Sequence, residues 1–133
     1  MTRVISDTRY KITKMSAQDK EDRMESLHRS IVPLDTIGAA YHAVTQFTFE
    51  QLRARTNAHR ISRRRQELAY LYHKDGGVSF MELGRLFGKH HTTFMYACDL
   101  IDGIMWPGNI SDLTNEQCSR RSTIIIVRAI YGK

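Results

Sequence analysis

The segment Val78–Thr93 constrains the fold more than any other part of the chain. Ser79 with Glu82 three residues on forms a capping-box pair, and Val78 and Leu83 occupy the two positions of a hydrophobic staple. A helix is therefore expected to start at Ser79. Phe80, Leu83 and Leu86 give it one buried stripe, and Gly88 stops it after Phe87, because glycine accepts the left-handed backbone at a helix end. A second helical pattern begins at once, near His90, and runs to about Gly103 with Phe94, Ala97, Cys98 and Ile101 on one face. Two helices joined by so tight a turn make a candidate helix-turn-helix.

The rest of the sequence is also patterned for helices. One is expected from about Asp35 to Phe47, with Ile37, Ala40, Tyr41 and Val44 inward and Asp35 or Thr36 as its cap. Thr48-Phe49-Glu50-Gln51-Leu52 reads as an extended piece or a single turn. The next helix is expected from Ser62, as N-cap, to about Lys74, with Leu68, Leu71 and Tyr72 inward and Gly76-Gly77 at its end. The last spans Asn115 to Tyr131, capped by Thr114 with Gln117 reciprocating. The chain has no internal repeats. It reads as all-α: a small helical bundle containing a helix-turn-helix over residues 34–133. Residues 1–33 form an N-terminal appendage, partly mobile, that ends at the break set by Pro33. Within it Ser16–His28 is dense in both charge signs, and Met24, Leu27 and Ile31 fall at the spacing of a short amphipathic helix.

Charge is concentrated in one place. Arg53–Arg65 holds six arginines, one histidine and no acid, while the whole chain has 20 Lys+Arg against 14 Asp+Glu. Outside those 13 residues the count is 20 − 6 = 14 basic against 14 acidic, so the net +6 belongs to this short run. Arg63, Arg64 and Arg65 would stand in the first turn of the Ser62–Lys74 helix, where cations oppose the helix dipole. With no acidic neighbour in sequence to pair with, the run suits a polyanion, and nucleic acid comes first. Arginine forks bind phosphate in a bidentate way and enter narrow minor grooves. A solvated basic loop, or a localisation-type cluster, is the plainer reading.

A recognition helix works because it fits the major groove of B-DNA, roughly 12 Å wide, while its partner braces it across the backbone. At about 100° per residue, Thr92, Tyr96 and Asp99 lie opposite the Phe94/Ala97/Cys98/Ile101 face. Thr93 and Met95 flank them. His90, His91, Thr92 and Thr93 offer short hydrogen-bonding side chains at the helix start. The alternative is that the threonines are cap and solvated residues on an ordinary helix pair.

Other chemistry has little to stand on. No paired carboxylates, nucleophilic Cys-His pair or Gly-x-Ser-x-Gly elbow stands out, so no enzyme and no cofactor are expected. Cys98, Cys118, His90 and His91 lack the paired spacing of a zinc site, so no metal is expected and the cysteines read as free thiols. No apolar run approaches the roughly 18–20 residues of a membrane span, and the N-terminus lacks the apolar stretch of a signal peptide. A cytoplasmic, nucleoid-associated protein follows as the expectation. The stripe Ile124, Ile125, Val127, Ala129 and Ile130 reads as core, with a homodimer seam or protein-docking face as the alternative.

A family resemblance now emerges from named residues. Arg65-Gln66, Leu68-Ala69-Tyr70-Leu71, Ser79-Phe80-Met81-Glu82-Leu83-Gly84-Arg85-Leu86-Phe87-Gly88, His91-Thr92-Thr93 and Ala97-Cys98 resemble the C-terminal DNA-binding domain of the bacterial replication initiator DnaA. The likeness spans about residues 36–102. It implies base contacts from His91 and Thr92, a phosphate contact from Thr93, backbone contacts from Arg65 and Gln66, and a minor-groove arginine from the loop upstream. His90 stands where the family has an aspartate that caps the helix and accepts from a base. Asn57 stands where the minor-groove arginine is expected, which passes that task to Arg55, His59 or Arg60. Asp99 replaces a usually basic residue, and the turn is one residue shorter. A related binding mode is implied, without the same target sequence being required. The chain has no phosphate-binding Gly-x-x-x-x-Gly-Lys-Ser/Thr loop, so it is similar to a stand-alone relative of the domain.

The expectation is thus a sequence-specific double-stranded DNA-binding protein acting in transcription or replication. Base readers are His90, His91, Thr92 and Tyr96. Arg55, His59, Arg60, Arg63, Arg64, Arg65, Gln66, Lys89 and Thr93 serve the phosphates or minor groove. The competing reading is a protein-interaction module that docks a partner through the N-terminal appendage or the C-terminal helix, with DNA contact secondary.

Overall fold

The computed structural model describes residues 31–133; the expectations for residues 1–30 lie outside them. Six α-helices and one 3-10 turn make up the described region, with no strand among its residues. They are α1 (Leu34–Thr45), α2 (Phe49–Leu52), α3 (His59–Lys74), α4 (Phe80–Phe87), α5 (His91–Met105) and α6 (Asn115–Ile130), with the 3-10 turn at Ile110–Asp112.

Helix α3 is the axis of the bundle and touches all five other helices. Its residues Glu67 to Tyr72 are buried without interruption, where a helix lying on one surface would bury a stripe. Against it α1 contributes Ile37, Ala40 and Tyr41, at the spacing of one helix face. Helix α5 contributes Phe94, Cys98, Ile101 and Met105, and α6 contributes Ile124 and Val127. Phe87, at the end of α4, lies edge-on to Phe49 of α2 at 5.2 Å and 5.4 Å from Phe94 of α5, so aromatic packing draws three elements together.

Two polar networks lock the helices in place. Buried Glu67 accepts from Tyr41 Oη at 2.8 Å and Arg64 at 3.0 Å on one oxygen, and from Arg120 Nε at 2.9 Å on the other. This ties α1, α3 and α6 together. Asp75, just past α3, takes a bidentate pair from Arg128 at 2.9 and 3.0 Å and the Tyr131 hydroxyl at 2.7 Å, which fastens the end of α6.

Several local expectations need correction. Helix α1 starts after Pro33 with no side-chain cap; the Pro33 carbonyl receives Thr36 and Ile37 N–H, so neither Asp35 nor Thr36 is needed. It ends at Thr45 rather than Phe47, where Gln46 turns left-handed at φ 68. Helix α3 begins at His59, three residues before Ser62, because partly buried Ile61 packs on the core and carries the preceding residues into the helix. Arg63, Arg64 and Arg65 therefore leave the first turn, and the dipole conflict passes to Arg60. At α4 Ser79 accepts from Glu82 N–H, but the Glu82 carboxylate pairs with Arg85 instead of returning to the cap. The Thr114/Gln117 and Thr48/Gln51 capping boxes both close. The isoleucine stripe divides: Ile124 and Val127 are buried, while Ile125, Ile126 and Ile130 are exposed.

Candidate nucleic-acid interface

Helices α4 and α5 form the helix-turn-helix around Gly84 and Gly88. Gly88 takes φ 66 and its N–H closes on Gly84 O. Gly84 allows the turn to fold back: a Cβ there would lie 2.7 Å from Lys89 O and 3.3 Å from His91 N. Only a hydrogen at that position lets the start of α5 sit against α4.

The start of α5 is exposed. His90 is its N-cap, and its Nδ1 receives the Thr92 N–H at 3.3 Å. A backbone N–H can only donate, so Nδ1 is the acceptor. The Thr92 hydroxyl, 2.8 Å from the same nitrogen, then donates as well. The capping role expected of an aspartate is thus carried by an imidazole. The ring also lies 4.4 Å from that of His91, tilted by 30°. Further along, Tyr96 is 67% exposed and Met95 44%, while Phe94, Ala97, Cys98 and Ile101 face inward. Thr92, Thr93 and Asp99 are exposed beside Tyr96. The Cys98 thiol, pushed up to about 11 by burial, belongs to the core. Tyr70 Oη donates to Asp102 at 2.8 Å, and Lys74 approaches the same carboxylate at 3.2 Å, so the far end of α5 is anchored to α3.

The basic run spreads over two kinds of position. Arg53 to Ala58 is loop, and the rest enters α3. Arg55 is exposed and makes no ion pair among the described residues. Exposed Arg60 lies over the Phe47 ring at 5.1 Å. His59 is 3.9 Å from Glu116. These residues, with His90, His91, Thr92, Thr93, Tyr96 and Lys89, present polar or cationic groups outward or half-outward.

Arg63, Arg64, Arg65 and Gln66 depart from the free phosphate-facing row that sequence suggests. Arg63 pairs with Glu116, brought over from α6, and Arg64 pairs with Glu67. Gln66 Oε1 accepts from Arg120 at 3.0 Å, which leaves its amide nitrogen for other contacts. Arg65 is 4% exposed, and its guanidinium donates to three backbone carbonyls. For Arg63 and Gln66 the cause is tertiary, since Glu116 and Arg120 lie more than fifty residues away in the chain; Glu67 is an i,i+3 neighbour of Arg64 on the same helix.

One contact joins the two halves of the site. Lys89, in the turn, donates from Nζ to Asn57 Oδ1 in the basic loop at 3.1 Å. The loop and the tip of α5 therefore share one side of the molecule. Sequence marks Lys89 as a phosphate-facing cation and Asn57 as standing in place of a minor-groove arginine, but not that the two meet.

The bacterial dnaA protein helix-turn-helix family matches residues 34–101, just over half of the chain. The protein belongs to that family. DNA binding is accordingly its general property, and α4–α5 is the DnaA-type helix-turn-helix. No curated protein matches the chain. The DnaA-type match ends at Ile101, inside α5, so α6 with its Glu116, Arg120 and Arg128 contacts lies beyond it. Among the described residues no helix is long and apolar enough to cross a membrane.

Proposed function

We propose that this DnaA-type protein is a sequence-specific double-stranded DNA binder that regulates transcription or replication at the nucleoid, with no catalytic turnover of its own. Helix α5 enters the major groove by its N-terminal end, where His90, His91, Thr92 and Tyr96 meet base edges. Thr93, Lys89, Arg55, His59 and Arg60 meet phosphates or the adjacent minor groove, with Arg63, Arg64 and the Gln66 amide at its margin. The observation that carries this reading is the Asn57–Lys89 contact, which sets the arginine loop beside the helix tip. The uncapped start of α3 adds unpaired N–H groups, and Arg60 in its first turn adds positive charge, to the same run.

The test is selection from random duplexes at stated salt, followed by Thr92→Ala and His91→Ala. Each should reduce discrimination at one or two base pairs by about 1–3 kcal/mol while leaving much of the non-specific affinity. Unchanged affinity and unchanged preference in both variants would remove α5 from the groove. A second reading, docking of a protein partner, draws on the exposed Ile125, Ile126 and Ile130 of α6. It predicts partner capture that survives Arg55→Ala with Arg60→Ala while duplex affinity falls.

A further inference from the structure

Arg65 differs from every other arginine of the basic run. Its Nε donates to Leu52 O at 2.7 Å, and one terminal nitrogen donates to Ala54 O at 3.0 Å and Thr56 O at 2.8 Å. It forms no ion pair with a carboxylate among the described residues, although it is nearly fully buried. Burial presses its pKa downward, yet an arginine keeps its charge. A buried cation therefore lies directly beneath the loop, solvated by the loop's own carbonyls.

Those carbonyls belong to residues that have no helix to satisfy them. Leu52 is the last residue of α2, and Ala54 and Thr56 are in the irregular segment that follows. A planar guanidinium fork can hold acceptors spread over five residues in one fixed arrangement, which a single ammonium cannot do. The clamp acts from the inside. On the outside, Lys89 holds Asn57 of the same loop. Between these two attachments lies Arg55, exposed and unpaired among the described residues.

We propose that Arg65 is a positioning residue of the DNA interface: it shapes the loop 53–58 so that Arg55 is presented in advance of binding, and it does not touch the duplex. This rests on the DNA-interface reading above. Without the clamp the loop would have to order on binding, and affinity would fall for that reason rather than through a lost phosphate contact.

The decisive experiment uses the unaltered protein, labelled by phenylglyoxal with and without a saturating pool of random-sequence duplexes, and read arginine by arginine by mass spectrometry. Without duplex Arg65 should react at least about 10-fold more slowly than Arg55, as burial demands, and duplex should leave its rate unchanged. Arg55 and Arg60 should react freely alone and be protected by duplex. If Arg65 reacts like Arg55 and is protected by duplex, it is a phosphate contact and the proposal falls. If Arg65 is inert but duplex protects neither Arg55 nor Arg60, the interface reading fails and the clamp loses its stated purpose. Arg65→Lys then separates charge from shape. Tryptic cleavage after Arg53 and Arg55 should accelerate, and duplex affinity should fall by about 10-fold, with helical circular dichroism retained. An affinity within about threefold of the parent and unchanged loop cleavage would also overturn it, since lysine serves as well as arginine for a simple phosphate charge.

Discussion

Lys89 Nζ and Asn57 Oδ1, 32 residues apart in the chain, meet at 3.1 Å. The bond spans the gap between the turn of the helix-turn-helix and the loop that carries Arg53 and Arg55. It makes the two elements a single surface, and it places the Lys89 ammonium between the exposed start of α5 and the arginine-bearing loop.

Lys89→Ala should therefore lower the slope of log affinity against log salt by about 0.9, the release of one counterion. Asn57→Asp should weaken duplex binding more than Asn57→Ala, because it adds a negative charge to the surface and neutralises Lys89. Fluorescence anisotropy titrations over a series of salt concentrations measure both. An unchanged slope for Lys89→Ala would mean that this ammonium faces away from the phosphates.

Gly84→Ala tests the turn. The added methyl would lie 2.7 Å from one backbone atom and 3.3 Å from another, and neither can swing aside as a side chain could. Overpacking of this kind costs about 1–3 kcal/mol, which for a domain of this size lowers Tm by about 4–8 °C per kcal/mol. The start of α5 should shift, so duplex affinity should fall even well below the new Tm. Gly103→Ala is the control: it meets nothing within 4 Å. Inside a helix it should gain about 0.5–1 kcal/mol. Equal thermal shifts for the two variants would contradict the close approach at Gly84.

Glu67→Gln should be among the most damaging single changes. The Glu67 side chain is 1% exposed and that of Arg120 10%, and the carboxylate also receives Tyr41 and Arg64. Removing one partner of such a pair leaves a buried charge uncompensated and costs about 3–5 kcal/mol. Urea unfolding followed by circular dichroism reads the loss; a decrease below about 1 kcal/mol would place the network at the surface.

Alkaline pH should unfold the protein through its tyrosines. Burial pushes Tyr72 up to about 12, with the charge of Asp35 adding to it. Tyr41, Tyr70 and Tyr131 are likewise raised by burial, assisted by Glu67, Asp102 and Asp75 respectively. A folded pKa above the unfolded value of about 10 means that the stability these hydroxyls contribute is complete below pH 10. It is lost as pH climbs from about 10, where the unfolded chain ionises first, through the raised folded pKa. Absorbance at 295 nm and helical circular dichroism should then change together. Ionisation of most tyrosines near pH 10 in a still-helical protein would contradict their burial.

The sequence by itself determined the helices and the helix-turn-helix. Their information is local: Ser79 and Thr114 cap the next turn, Gly88 ends one, and apolar residues recur every three or four positions. The exposed face of α5, with Thr92 and Tyr96 opposite Phe94 and Ala97, follows from the same periodicity. So does the family resemblance, which rests on contiguous residues. The start of α3 escaped this reasoning because Ser62 looks like a cap, and only the packing of Ile61 on the core shows that the helix has already begun. Most of what the basic run does was decided by tertiary structure; only Arg64–Glu67 and Arg53–Glu50 are pairs of near neighbours in the chain. Six arginines look alike in a row of letters, yet Glu116 from α6 takes Arg63, Glu67 takes Arg64, loop carbonyls take Arg65, and Arg55 and Arg60 are left facing outward. The physical reason is that charge pairing depends on distance through space, and the fold sets that distance only once helices far apart in the chain have been packed together.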